Sequence, residues 1–400
     1  MRDFASSAVS GRIQGVDLAC TIAIVGMVMV HIGPIRLDGF GLVGAAYRLP
    51  VGRASILFIV VAGIGVSLLA GDRSRERLRG TSARLLWRAL VLLPLGLALQ
   101  ALDTPIAVMI RYYAVYFVTA IVGVRLGSRT LAWTAAATAL LGPALLLGIR
   151  RLEPGWFDAG TPVWNDFDRI ARDLMISGYY PAIIWATPLL VGIWLGRQKL
   201  RSTGAAVTLL LGGAAIATAV WLVDNVLGGV AGDVENRASW LQLLTREPHA
   251  EMPLWALSST SIAISIVGAS LLLARAAARL TWPLVAAGQL ALSIYASHLL
   301  LLHYRPEWLI RSEFATAWAS IGRFTLLAAL VWRSLATRGP LEALLRIPWL
   351  RRGRRRRPPA STRLPTTRKR RRHFGDSLRP PKTLPMRKVA NEDRGRRYPQ

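Results

Sequence analysis

Cysteine is almost missing from this chain. Cys20 alone allows neither an internal disulfide nor a multi-thiolate metal centre, and leaves the redox compartment open. Charged residues are also scarce, at 18% of 400 positions, against 53% hydrophobic residues and a mean hydropathy of +0.38. That balance excludes a string of ordinary soluble domains. Several signatures are absent too: no Walker A run, no dinucleotide fingerprint after a strand, no HExxH, no CxxC and no GxSxG. Soluble enzyme classes and serine-triad lipases drop out, and no metal is expected.

What is present is a recurrence of apolar segments near the roughly 20 residues that cross a ~30 Å hydrocarbon layer. Hydropathy with Pro, Gly and charge punctuation predicts helices at about 16–35, 52–70, 84–102, 105–124, 130–149, 174–196, 205–227, 253–274, 282–302 and 315–335. The expected fold is all-α, a polytopic membrane helix bundle of about ten transmembrane helices. Residues 1–15 form a short N-terminus, 16–335 the transmembrane domain, and 336–400 an Arg/Pro-rich tail. The first run is too long for a signal-peptide core and lacks a nearby cleavage site, so it reads as a retained signal-anchor helix.

Charge orients the bundle. Arg73, Arg75, Arg77, Arg79 and Arg84 crowd the second loop; Arg125 and Arg129, then Arg197, Lys199 and Arg201, then Arg275 and Arg279 mark the fourth, sixth and eighth. The intervening loops are acidic or mixed. By the positive-inside rule both termini are cytoplasmic, and the chain belongs in the cell membrane. The final 50 residues carry 19 basic and three acidic side chains with seven prolines, a composition that cannot bury enough apolar area to order itself. Such a tail should lie against the anionic inner leaflet. Nucleic acid is disfavoured as its partner, because only Phe374 and Tyr398 supply aromatic rings.

The polar residues within the spans then carry the information. Asp17 and His31 lie 14 positions apart, about 40° around a helix and roughly 21 Å along it, with Thr21, Ile24 and Val28 on the same strip. Asp17 also suits a first helical turn for its dipole alone. Ionisable groups inside spans usually face the bundle interior, so this strip should not face lipid. His249, His298 and His303 are placed near the same outer boundary as His31. Any one histidine there reads as structural; the cluster suggests a site. Arg53, Arg111, Tyr179 and Tyr180 extend it, although Arg53 reads equally as an anion ligand or as a side chain snorkelling to headgroups. Gln289, Ser293 and Ser297 share one face of the ninth helix, where packing explains them better than catalysis. No repeat of 20 to 50 residues and no convincing inverted pair of broken helices is visible, which weakens a repeat-transporter reading.

The stretches GRIQGVDLACTIAIVGMVMVHIGP, GRASILFIVVAGIGVSLL, RYYAVYFVTA, YYPAIIWATPLLVGIWLGR, EPHAEMPLWALSSTSIAISIVG and WPLVAAGQLALSIYASHLL occur in that order over about residues 11–335. Together they resemble the transmembrane acyltransferases related to heparan-α-glucosaminide N-acetyltransferase, including the bacterial YeiB-like proteins. Each stretch alone is mostly apolar and weakly specific. The resemblance implies transfer of an acyl group, acetyl for instance, from cytoplasmic acyl-CoA to a small-molecule or glycolipid acceptor across the membrane. Asp17 and His31 match the family's helix-one Asp and terminal polar residue, and His249 the histidine of its outer-loop motif. From the placement of the polar residues, His31, His249 and His298 are the candidate catalytic residues, with His249 or His298 positioning the acceptor, and Asp17, Arg53, Arg111, Tyr179 and Tyr180 the candidate donor-binding residues. One position departs from the family's D-x-x-R-G pattern: Cys20 stands where the Arg would be.

On this reading neutral His31 is a general base or transient acyl carrier, oriented by a carboxylate such as Asp38, with donor reaching it along the Asp17–His31 strip. Two other classes stay open: a transporter or flippase of an amphiphile, and a non-catalytic membrane scaffold. Homodimerisation is undecided by sequence.

Overall fold

A computed structural model describes residues 12–32, 41–102, 104–158, 166–231, 239–306 and 339–346. The chain divides into units 1–350 and 351–400, and all the described residues lie in the first. The tenth expected helix, the tail from residue 351 and Asp38 lie outside the described residues.

Among the described residues the structure is all-helical. The principal helices are α1 (Gln14–Ile32), α2 (Gly41–Arg48), α3 (Ala54–Ala70), α4 (Arg75–Gln100), α5 (Tyr113–Gly123) and α6 (Ser128–Leu152). The short α7 (Gly155–Asp158) and α8 (Phe167–Arg172) precede α9 (Ala182–Leu195), α10 (Thr203–Ala231), α11 (Pro253–Ala276), α12 (Ala278–Gly288) and α13 (Ala291–Tyr304). A last turn, α14, spans Pro340–Leu344. Among the described residues five helices are long and apolar enough to cross a membrane, or seven if each of two bent pairs counts as one span.

Helix α1 is the hub, packed on α3, α11 and α12. Its apolar window is 72% buried, against 17% for α10, so α1 belongs to the interior and α10 to the lipid-facing rim. Leu211, Trp221, Leu222 and Val226 on α10 are exposed, which water would penalise and hydrocarbon does not. The α3–α9 crossing depends on Gly63 and Gly192. A Cβ on either would overlap the other helix's backbone, at Leu189 and Val60 respectively. Small residues let helices approach this closely, and dispersion then holds them where no hydrophobic drive exists.

Four elements depart from the expectations. α4 begins at Arg75, nine residues before the predicted boundary, because the Ser74 hydroxyl accepts from Arg77 N–H and the arginines continue the helix beyond its apolar part. The predicted helix at 105–124 starts only at Met109, in a 3-10 turn, so Arg111 sits in the first turn. The predicted 174–196 span is broken: a π-helical turn, Asp173–Ser177, and Pro181 set its halves at 59°. The predicted 282–302 span is bent by 64° at the Gln289–Leu290 junction of α12 and α13. Two bent helix pairs are therefore present among the described residues, where hydropathy drew each as one continuous span.

Candidate functional site

His31 lies in the last turn of α1 and meets α13 across the bundle. Its Nδ1 is 3.0 Å from His298 Nε2, with the rings stacked at 5.2 Å and 11°. One contact of this kind holds one proton, donated by one ring and accepted by the other. The carbonyl oxygens of Ile294 and Tyr295, which can only accept, face the His298 ring, although its Nδ1 completes no full hydrogen bond among the described residues. That favours the proton on His298 Nδ1 and makes its Nε2 the acceptor. His31 Nδ1–H then donates, which leaves a lone pair on His31 Nε2. His298 is 1% exposed and His31 half-buried, so the free nitrogen is on the accessible partner.

Behind the pair the network continues inward. Tyr295 packs edge-on against His298 at 5.1 Å, and its hydroxyl accepts from Met109 N–H at 3.0 Å. Two residues on, Arg111 is 2% exposed. Its Nη2 bonds the Tyr112 hydroxyl at 3.0 Å and pairs with Asp173 at 3.1 Å. Its Nε and Nη1 meet no partner among the described residues. An unfilled buried guanidinium edge is costly, so it is poised for an acceptor group that ligand or water supplies. Gly96 makes room for this turn: any Cβ there would strike the Arg111 backbone.

The broken helix supplies the adjacent wall. Tyr180 is buried, with its hydroxyl bonded to Ser55 and its carbonyl accepting from the Tyr116 hydroxyl at 2.6 Å. Tyr179 is 49% exposed, and its N–H donates to the Tyr112 hydroxyl at 3.0 Å. His249 sits in an aromatic box, 4.7 Å from Tyr179, 6.1 Å from Tyr180, 6.3 Å from Trp185 and 6.1 Å from Trp255. Burial lowers it to about 4, so it is neutral at physiological pH, and its Nδ1 is unpartnered among the described residues. Glu251, 6% exposed, accepts from the Trp185 indole at 3.2 Å. Burial pushes its carboxyl up to about 8, offset in part by that hydrogen bond, so it is largely protonated near neutrality. Both His249 and Glu251 hold left-handed φ angles, 59° and 61°, a strain that such residues rarely carry. Gly52 (φ 68°) lets the turn before α3 approach Pro248 and Trp255.

The structure thus brings His31 and His298 together, gathers Arg111 with Tyr180 near by, and sets His249 and Tyr179 in the box. Arg53 begins α3 beside this end, donating to the Leu49 carbonyl at 3.3 Å with its Nε buried. His303 is exposed and outside the cluster. Asp17 is at the far end of α1, with its carboxylate taken by Arg12 at 2.6 and 3.1 Å and by Gln289 at 3.3 Å. A guanidinium therefore meets Asp17 although position 20 is Cys. The strip between Asp17 and His31 is closed: Asp17, Thr21, Ile24 and Val28 are buried, Thr21 donates to the Leu284 carbonyl, and the Asp17 backbone abuts Gly288. The expected donor path along that face has no open groove here, and α12 packs over its Asp17–Thr21 end. Among the described residues the His31 ring meets His298; the expected orienting carboxylate, Asp38, lies outside them. Sequence reasoning missed Glu251, Asp173 and Arg12. Asp173 had a signal, a carboxylate within an apolar segment; a buried Glu251 had none. Among the described residues no three His, Cys, Asp or Glu gather as a metal site.

No curated protein matches the chain significantly. A protein-family model does, over residues 12–225, more than half the chain; it describes the catalytic region of heparan-alpha-glucosaminide N-acetyltransferase.

Proposed function

Because the chain belongs to the heparan-alpha-glucosaminide N-acetyltransferase catalytic family, we propose that it moves an acyl group, acetyl in the first instance, from acyl-CoA to a hydroxyl or amine of a sugar or lipid acceptor. The arginine-rich end is cytoplasmic on this reading, and the histidines stand at the opposite side of the cell membrane. The carrying observation is the 3.0 Å contact between His31 Nδ1 and His298 Nε2; with His31 Nδ1–H as its donor, His31 Nε2 keeps a lone pair.

The chemistry follows. His31 Nε2 takes the acceptor proton as the acceptor oxygen or nitrogen bonds the thioester carbonyl carbon. The carbon–sulfur bond then breaks, and the departing thiolate receives that proton as free CoA thiol. His298 holds the imidazole in the required tautomer and shares the positive charge while it exists. Arg111, with its open edge, suits the carbonyl oxygen as negative charge develops there, or an anionic part of the donor. The His249–Trp185–Trp255 box with neutral Glu251 suits an acceptor ring, since aromatic faces and a carboxylic acid bind carbon–hydrogen surfaces and hydroxyls together.

The test uses the purified chain in vesicles, with acetyl-CoA outside or inside, candidate sugar and lipid acceptors, and free CoA as the readout. His31→Ala is expected to reduce CoA release by about 10²- to 10⁴-fold, the usual range for a general base. A folded His31→Ala variant with full transfer rejects this assignment. Movement of unmodified acceptor without CoA release would identify a transporter instead.

A further inference from the structure

Away from the histidines, at the arginine-rich end, the ends of α3, α5 and α9 and the start of α6 line a half-open cavity of about 340 Å³. Ser67, Gly71, Arg73, Ser128, Gly196 and Arg197 are among its lining residues. Arg73 donates through Nε to the Val124 carbonyl at 3.1 Å and through Nη2 to those of Arg125 and Leu126 at 3.1 and 2.7 Å. Arg197 arrives from the other side, with Nη1 on the Leu126 carbonyl at 3.0 Å and the Ser128 hydroxyl at 3.2 Å, and Nη2 on the Gly123 carbonyl at 3.1 Å. Two guanidinium groups therefore share one carbonyl oxygen.

That oxygen belongs to the C-terminal fringe of α5. A helix end carries only about half a negative charge, whereas two full positive charges meet here. No carboxylate lines the cavity. Asp72, next in sequence to Arg73, instead meets Arg77 at 3.4 Å on the exposed surface. The cluster also exceeds what capping α5 requires: the carbonyls take up neither Arg73 Nη1 nor Arg197 Nε. Arg73 reaches its position through a left-handed backbone, φ 59°, which a bulky residue adopts only at a cost. Gly196 contributes space, since a Cβ there would lie 2.5 Å from the Ser67 side chain.

We propose that this cavity binds a phosphoryl anion, held by Arg73 and Arg197 with the Ser128 hydroxyl. Guanidinium forks match phosphate oxygens in geometry and charge, and the volume lies at the small end of ligand sites. A soluble phosphate ester, such as the nucleotide end of a thioester donor, and the phosphate of a lipid headgroup present the same chemistry. The inference goes beyond the acyl-transfer reading and does not depend on the histidine pair.

The experiment follows thermal unfolding of the full chain in phosphatidylcholine vesicles, with inorganic pyrophosphate or adenosine 3′,5′-bisphosphate added, and in parallel with phosphatidylglycerol mixed into the vesicles. Ser128→Asp is the main variant. It sets a carboxylate beside Arg197 at the first position of α6, where an acid suits the helix dipole, so folding is preserved while the cavity charge falls. Arg73→Gln is the second. Stabilisation of the parent by the soluble phosphates, roughly tenfold weaker in Ser128→Asp, supports the site and a soluble ligand; tenfold is the size of one charge-assisted hydrogen bond. Stabilisation by phosphatidylglycerol alone, weakened alike in both variants, supports the site and a lipid headgroup. No shift in the parent with either, or equal shifts in parent and Ser128→Asp, overturns the proposal and reduces the arginines to caps on α5. CoA release that needs His31 but persists without any anion effect would reject this site while leaving acyl transfer standing.

Discussion

At the scale of single residues, proton positions govern what this molecule does. His298 touches His31, and in the proposed mechanism it is a positioning residue rather than the base. His298→Ala is expected to lower kcat with little change in acceptor KM and to move the pH–rate profile, because His31 loses the acceptor that fixes its tautomer; an unchanged profile would leave His298 a packing residue. Glu251 makes a second prediction. Its carboxyl is raised to about 8 in the fold, so the stability it contributes is fully present below its ordinary value of 4.5 and is lost as pH rises through about 8. His249, lowered from 6.5 to about 4, contributes stability above 6.5 that is lost as pH falls through 4. Between pH 6.5 and 8, therefore, Glu251 acts largely alone. The parent's melting temperature should fall across that interval, while Glu251→Gln, which keeps an acceptor for the Trp185 indole, should show a flatter profile. Equal slopes in both chains would place the titration elsewhere. None of this residue chemistry is visible in isolation: His31 and His298 are 267 positions apart, and only the α1–α13 contact makes them a pair.

Among the elements, the crossings that set the site depend on glycine. Gly63 and Gly65 differ by two positions on α3, yet a Cβ at Gly63 meets the α9 backbone whereas one at Gly65 meets nothing within 4 Å. Gly63→Ala should destabilise the bundle by about 1–3 kcal/mol, the usual cost of overpacking, and Gly65→Ala should be near neutral, with thermal unfolding in matched vesicles as the check. Comparable losses in both would mean that helix propensity, rather than the α3–α9 approach, decides. Sequence periodicity located the cores of α1, α3, α6, α10 and α11 because continuous apolar runs report directly on lipid. It did not find the breaks at 177–182 and 288–291. An apolar run with Pro and Gly reads the same whether the helix bends or continues, and the bend is decided by neighbours such as Tyr112, whose hydroxyl accepts from the Tyr179 N–H.

For the whole molecule, the question is how much of the chain the activity needs. Glu342 on α14 accepts from Ser293 N–H at 3.1 Å and from its hydroxyl, and the Trp87 indole donates to the Leu344 carbonyl at 2.9 Å, so the described chain is tied back to α13 and α4 before residue 347. Deleting residues 351–400 should leave acyl transfer in vesicles essentially intact, and loss of transfer with normal folding would favour a scaffold whose basic tail is the working part. The sequence by itself determined that the chain is a helical membrane protein, which end carries the arginines, and that histidines and tyrosines collect at the other. Those properties follow from composition along the chain, because a hydrocarbon layer selects run length and charge without reference to partners. Tertiary structure alone decided that His31 meets His298, that Asp17 is taken by Arg12 and Gln289, that α12 covers the Asp17–Thr21 end of the helix-one strip, and that Glu251 is buried against Trp185. Each of these depends on which distant side chain fills a given few ångströms, and helix periodicity carries no information about that choice.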